Sequence, residues 1–434
     1  MSSTVRFDPA GPLRGSYTPP PDKSISHRAA LFGAMADEPV TVVNYLDSED
    51  TRSTLDAVMT LGAAVGQEPD GRVLIRGVGL HAPLEATGGL MNVGNAGTLM
   101  RLLPGWLAGQ PGGVWTLDGD ESIRQRPVDR IAEPLERMGA TVEAREGRFP
   151  PFTVRGAELT GIEYDLPVPS AQVKSCVLIA GMFASGSTTV TEGSMSRDHT
   201  ERMMRRARVP FEREGLRITV AQVDELELDH VVVPGDPSSA AFIVAAAILV
   251  SGSRVVVKDV GLNWTRTGFY RIAERMSAVI VGELEEPGAE ADGEPVGELD
   301  VASGSLEGTV VEPEEVPLAI DELTLVALLG AHAEGETVVR GAEELRLKES
   351  DRIEGVVEGL RGLGADIEAT PDGFTVRGDG SPLRGGTIDA RGDHRMAMLG
   401  AVAGLASTEG VEVVGMDAAA VSYPGFERDL RTLL

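Results

Sequence analysis

At 434 residues the chain has length for two domains with separate buried cores, and a formal charge of -28 argues against a nucleic-acid partner, whose phosphates need a basic face. No apolar run approaches the ~20 residues that span a bilayer, and the N-terminus lacks the basic-then-apolar order of a signal peptide. The single cysteine, Cys176, rules out an internal disulfide framework and suits a reducing cytoplasm; set in an apolar helical run, it reads as a small core residue rather than a nucleophile.

The first strand, Val5 to Leu13, has no unit of its own and is expected to cross into the C-terminal domain. Pro19-Pro20-Pro21 then holds the chain extended and delivers Asp22-Lys23-Ser24-Ile25-Ser26-His27-Arg28 to the start of a helix of small residues. A helix start offers unpaired N–H groups and the positive end of the macrodipole, so a lysine, a hydroxyl and an arginine there make an anion cradle. A capped surface helix with two solvated cations is the plainer alternative.

A pattern recurs about every 70 residues from here, too long a period for a solenoid. Its order is polar motif, helix of small residues, β-branched strand, second helix and further strand. The copies begin at His27, Asn95, Ser170, Asp236, Asp321 and Asp393. Their predicted strands are Val40–Val43, Val114–Leu117, Thr188–Thr191, Arg254–Val257, Glu336–Val339 and Val411–Val414. Predicted second helices include His199–Arg208 and Thr267–Met276, and a closing helix lies near Phe426–Leu434. First helices are apolar nearly all round and should be buried, several of them capped by Ser170, Asp236, Asp321 or Asp393; second helices alternate charged and apolar residues and should lie outside. The class is α/β, with sheets covering buried helices. Six units divide as three plus three, the break falling near Val233-Pro234-Gly235, and the acidic stretch Gly282–Asp300 reads as a solvated surface loop. If the buried helices run parallel, their N-termini converge on one face of each domain. Two such faces across a hinge would form a cleft for small anions.

The polar motifs carry the chemistry. Asn95-Ala96-Gly97-Thr98 puts a glycine at a helix start, where a ligand can approach the backbone or the chain simply turns. Arg126 precedes Pro127 in a geometry suited to a carboxylate. Ser170, Gln172 and Lys174, followed by Ser196-Arg197-Asp198-His199, offer hydroxyl, amide and cation to a phosphate; His199 reads first as a structural residue. The C-terminal half supplies Asp321, then Lys348-Glu349-Ser350-Asp351-Arg352, for which a surface salt-bridge lattice is the plain reading, and Asp393-His394-Arg395. Only four of the 39 basic residues are lysines, Lys23, Lys174, Lys258 and Lys348. Lysine is a compact charge whose pKa can be lowered, and three of the four fall in these motifs. No spacing resembles a metal site or a P-loop.

Taken together and in order, these motifs closely resemble the 5-enolpyruvylshikimate-3-phosphate synthase family over essentially the whole chain. Ser170-Ala171-Gln172 and Ser196-Arg197-Asp198-His199 are similar to its second bacterial class. The resemblance implies two inverse α/β, inside-out barrel-like domains, each of three βαβαββ units with buried parallel helices. Residues 22–234 would form the N-terminal domain and 1–21 with 235–434 the C-terminal one, joined by a double crossover near 14–22 and 233–237. It implies transfer of the enolpyruvyl group of phosphoenolpyruvate to the 5-hydroxyl of shikimate 3-phosphate, with release of phosphate, by a cytoplasmic monomer without metal, organic cofactor, nucleic acid or membrane, and with glyphosate competing for the phosphoenolpyruvate site.

Residue by residue, the resemblance implies that Lys23, Ser24, Arg28, Ser170, Ala171, Gln172, Arg197, Asp321 and Lys348 bind shikimate 3-phosphate. Lys23, Gly97, Arg126, Gln172, Arg352 and Arg395 surround phosphoenolpyruvate. Asp321 is the proton acceptor, Glu349 protonates the methylene carbon, and Lys23 is a further proton donor. Four positions depart from the family pattern. Pro21 stands where glycine is usual, Leu102 and Thr324 replace common prolines, and Val421 stands where some members have a lysine for phosphoenolpyruvate. The alternative is the related transferase acting on UDP-N-acetylglucosamine, which uses a cysteine on a mobile loop. A non-catalytic acidic scaffold would not place charged groups at nearly every buried helix start.

Overall fold

The computed structural model describes residues 3–81, 89–289 and 293–434. The chain forms two compact units: Pro21–Val233 with Glu290–Glu294, and Met1–Pro20 with Pro234–Ala289 and Pro295–Leu434.

In the first unit, α1 (Lys23–Met35), α3 (Gly97–Ala108) and α5 (Ala171–Gly181) alternate with α2 (Glu49–Thr60), α4 (Asp129–Met138) and α6 (His199–Arg206). The odd-numbered helices are apolar on every side and buried beyond their first turns. Asp22 starts α1 by accepting from the Ile25 N–H, and Ser170 starts α5 by accepting from the Val173 N–H. Helices α3 and α5 approach so closely that a Cβ at Gly105 would lie 2.4 Å from the Cys176 carbonyl oxygen. Three four-stranded sheets enclose them. One runs Leu90–Asn92, Val114–Asp118, Phe149–Arg155, Thr141–Arg145, its first pair parallel and the rest antiparallel. The same order recurs in Glu163–Asp165, Ser187–Thr191, Arg217–Ala221, Phe211–Glu214 and in His230–Val232, Val40–Val43, Val73–Arg76, Ala64–Gln67.

The second unit repeats the plan with α7 (Pro237–Leu249), α8 (Gly268–Arg275), α9 (Val316–Ala319), α10 (Leu323–His332), α11 (Arg352–Gly362), α12 (His394–Ala406) and α13 (Phe426–Arg431). Helices α7, α10 and α12 pack on one another as its buried core. Fully buried aromatics such as Phe242 and Phe374 stiffen that core, and truncating either to alanine would cost about 3–5 kcal/mol.

The strands that precede α1 and α7 are exchanged. Arg14–Tyr17 pairs in parallel with Arg254–Val257, while His230–Val232 pairs in parallel with Val40–Val43. The sixth sheet lacks its own hairpin; Thr4–Phe7 runs antiparallel to Val411–Val414 instead, with Gly386–Asp389 on the other side.

Several sequence expectations shift. The predicted strand Val5 to Leu13 shortens to Thr4–Phe7, because Pro9 and Pro12 interrupt it, and a second strand, Arg14–Tyr17, follows beyond the predicted bounds. Val296–Ala302 is a strand paired with Arg254–Gly261, so Gly282–Asp300 is only partly loop; its residues 290–292 lie outside the described residues. Asp321 does not cap α10. Glu322 holds the position before Leu323 and makes no side-chain cap, because Asp321 turns toward two arginines. Among the described residues no helix is long and apolar enough to cross a membrane.

Candidate active site

In the first unit the helix starts bring the predicted anion ligands together. Arg28, buried on α1, donates from Nη1 to the Ser24 carbonyl at 2.9 Å, from Nε to Thr200 Oγ1 at 2.7 Å and from Nη2 to Ser175 Oγ at 2.9 Å. Its partners are all neutral oxygens. Burial lowers its pKa to about 10, against the more distant Glu201, Asp22 and Glu294, and the charge of Arg197 pushes the same way. Arg28 and Arg197, both expected to bind shikimate 3-phosphate, therefore feel each other's charge. Lys23 reaches Asp50 Oδ2 at 2.8 Å, a carboxylate buried at the start of α2. His27, sealed against Thr54 Oγ1 at 2.6 Å, is held neutral: burial, with Lys23 and Arg28, drops its pKa to about 3.

The starts of α3 and α5 meet at Gln172. Its Oε1 accepts from Arg101 at 2.7 Å and its Nε2 donates to Thr98 Oγ1 at 3.1 Å. Helices that touch both at their first turns and along their lengths run in the same sense. Arg126 lies beside Asn95, and a Cβ on Gly97 would come within 2.5 Å of Arg126 Nη1. Glycine at position 97 thus leaves room for the guanidinium.

The second unit gathers carboxylates around one buried guanidinium. Arg352 opens α11 with its side chain 1% exposed. It donates from Nε to Asp393 Oδ2 at 2.8 Å, from Nη1 to Asp321 Oδ1 at 3.2 Å and from Nη2 to Glu349 Oε2 at 2.5 Å. Burial alone would lower its pKa, but Asp393, Glu349 and Asp321 more than offset this and move it up. Asp393 also caps α12 through the Arg395 N–H at 2.9 Å and accepts from Ser350 Oγ at 3.0 Å. Arg395 faces Asp321 Oδ2 at 3.4 Å and the buried Glu322 Oε1 at 3.6 Å. Lys348 is half-buried at the end of the turn Glu343–Leu347, next in sequence to Glu349. The expected surface lattice is instead an interior network. Four carboxylates, Asp321, Glu322, Glu349 and Asp393, converge on two arginines, which suits proton transfer beside a bound anion.

A profile of EPSP synthase (3-phosphoshikimate 1-carboxyvinyltransferase) matches residues 7–430. The chain belongs to the EPSP synthase family. A 3-phosphoshikimate 1-carboxyvinyltransferase of Thermus thermophilus is 46% identical over 429 residues, covering 99% of this chain and 98% of that one. That of Bacillus subtilis is 43% identical over 431 residues, with 99% of each chain covered. Among solved structures, EPSP synthase from Acinetobacter baumannii superimposes with a TM-score of 0.86 at 40% identity, over 99% of this chain and 98% of the other. The enolpyruvyl transferase NikO from Streptomyces tendae shares the fold at a TM-score of 0.76 and 18% identity, over 100% and 98% of the two chains. The inverse α/β fold expected from the resemblance is the fold observed.

Within this EPSP synthase family member, Lys23, Ser24, Arg28, Gln172 and Arg197 cluster about the starts of α1, α5 and α6, with Ser170 and Ala171 leading into α5. Gly97 and Arg126 are mutual neighbours, and Asp321, Glu349, Arg352 and Arg395 form the second cluster. Ser196 differs from its sequence reading: its hydroxyl donates to Glu192, so the proton is already committed. Sequence reasoning did not single out Asp50, Thr200 or Ser175 as partners of the cations. Only tertiary pairing across helices reveals them. Cys176 is a core residue; burial pushes its thiol pKa up, the opposite of an activated nucleophile. Among the described residues no group of three or more His, Cys, Asp or Glu side chains is arranged to hold a metal ion.

Proposed function

We propose that this chain transfers the enolpyruvyl group of phosphoenolpyruvate to the 5-hydroxyl of shikimate 3-phosphate and releases phosphate. The observation that carries the reading is Arg352 holding Asp321 and Glu349 on one guanidinium, at 3.2 and 2.5 Å. Asp321 takes the proton of the attacking hydroxyl as the new C–O bond forms, and Glu349 delivers a proton to the methylene carbon. In the second half the C–O bond to phosphate breaks and the methyl group returns the proton. Lys23 is a further donor in these steps. Fixed cations bind the anionic substrates and offset the charge of the tetrahedral intermediate. Shikimate 3-phosphate is assigned to Lys23, Ser24, Arg28, Ser170, Ala171, Gln172, Arg197, Asp321 and Lys348, and phosphoenolpyruvate to Lys23, Gly97, Arg126, Gln172, Arg352 and Arg395.

The UDP-N-acetylglucosamine reaction needs a reactive cysteine, and buried Cys176 argues against it. The Ser170-Ala171-Gln172 and Ser196–His199 motifs support the second bacterial class, and the reading extends to a cytoplasmic monomer for which glyphosate competes with phosphoenolpyruvate. Phosphate release with phosphoenolpyruvate and either acceptor tests the whole reading. Turnover with shikimate 3-phosphate is expected; turnover with the sugar nucleotide alone would overturn it.

A further inference from the structure

Lys174 has no part in the reaction just described, yet it is completely buried where α5, the segment 192–196 and α6 meet, next to the proposed ligands at the start of α5 and at Arg197. From α5 its Nζ reaches Glu192 Oε2 at 2.9 Å, Glu201 Oε1 at 2.7 Å and the Ser196 carbonyl at 3.5 Å. Two of these contacts are hydrogen bonds, to Glu192 and to the Ser196 carbonyl, and the third is an ion pair with Glu201. A planar guanidinium cannot match that arrangement, which accounts for a lysine in a chain that otherwise prefers arginine. Arg213 Nη1, on a partly buried side chain, lies 3.8 Å from Glu201, so a second cation faces the same pair of buried carboxylates.

The cluster reaches the substrate ligands along two routes. Glu192 accepts from the Ser196 hydroxyl while Lys174 holds the Ser196 carbonyl, which fixes both side chain and backbone of the residue preceding Arg197. Glu201 lies on α6 beside Thr200. Thr200 and Ser175, the neighbour of Lys174, share a hydrogen bond of 2.6 Å and both receive Arg28. One ammonium group therefore ties together the supports of Arg28 and Arg197.

We infer that Lys174, with Glu192, is a positioning residue that sets Arg28 and Arg197 for shikimate 3-phosphate. The inference rests on the proposed reaction, and its test separates the two. Steady-state phosphate release and calorimetric binding of shikimate 3-phosphate are measured for the wild-type protein and for Glu192→Gln, Lys174→Arg and Lys174→Met. Glu192→Gln keeps the shape and removes one charge. Lys174→Arg keeps the charge and loses the three-way geometry. In variants whose circular dichroism matches the wild type, KM and Kd for shikimate 3-phosphate should rise at least fivefold. KM for phosphoenolpyruvate at saturating shikimate 3-phosphate should stay within twofold, and kcat within threefold. A role confined to stability would lower the melting temperature and the active fraction and leave this split flat, which overturns the inference. So does a Lys174→Arg protein with wild-type affinity. Should the lysine variants fail to fold, Glu192→Gln decides alone. Absence of wild-type turnover with shikimate 3-phosphate would defeat the proposed reaction; turnover with unshifted variants defeats only the positioning role.

Discussion

Two arginines, each buried at the start of a helix, end in opposite electrostatic states. Arg352 faces three carboxylates and is held more firmly cationic than a free side chain. Arg28 faces two hydroxyls and a carbonyl, and its pKa falls to about 10, with burial as the main cause. The first is surrounded by compensating carboxylates. The second keeps an uncompensated charge, a standing attraction for an incoming anion. One buried cation is held by carboxylates, the other by uncharged oxygens.

The sharpest break in this comparison is Arg352→Met. It should cost about 3–5 kcal/mol of stability, because three carboxylates lose their common partner; urea unfolding measures it. Next, Asp321→Ala and Glu349→Gln should each lower kcat by about 100-fold or more with folding retained. Near-normal turnover would reduce both to salt-bridge partners. Arg28→Met should behave unlike Arg352→Met. Ser175 and Thr200 keep their mutual hydrogen bond, so stability should change by less than about 1 kcal/mol. KM for shikimate 3-phosphate should rise about 30-fold or more. A large stability loss in this variant would erase the distinction.

Gly97→Ala should displace Arg126 and raise KM for phosphoenolpyruvate by about tenfold, since the new methyl would sit 2.5 Å from Nη1. The smallest effect concerns pH. His27 is neutral in the fold to about pH 3 but protonates below pH 6.5 when unfolded. Its contribution is therefore complete above pH 6.5 and is lost progressively as the pH falls toward 3. His27→Asn should flatten the acid limb of stability by about 1 kcal/mol per pH unit between pH 6 and 4.

Much of this was legible in the chain. Periodic apolar helices and β-branched strands located the repeats, with Val40–Val43 and Val411–Val414 matching to the residue. Helix-start chemistry singled out Arg28, Arg352 and their neighbours, because polar residues leading apolar helices break the local pattern. The crossover near 14–22 and 233–237 was expected, but the particular partners of Arg14–Tyr17 and His230–Val232 were not legible, since nothing local in a strand names its partner. Asp50 escaped notice for a similar reason: an acidic residue in the first turn of α2 already has a sufficient local explanation in the helix dipole. Asp321 was misread as a cap because a carboxylate before an apolar helix suits that role, and only the nearby arginines reassign it.

Thr4–Phe7 completes the sheet of Val411–Val414, and the Arg14 N–H is bonded to the Leu433 carbonyl at 2.8 Å. One of the earliest segments to leave the ribosome thus has its partners among the last. The unit built on Pro21–Val233 owns an almost continuous stretch of chain and can condense during synthesis. In the other, Arg14–Tyr17 stays unpaired until Arg254–Val257 is made, and Thr4–Phe7 until Val411–Val414 is made. Products that stop before Val411–Val414 should therefore expose Thr4–Phe7, and their aggregation should subside once that partner strand is present.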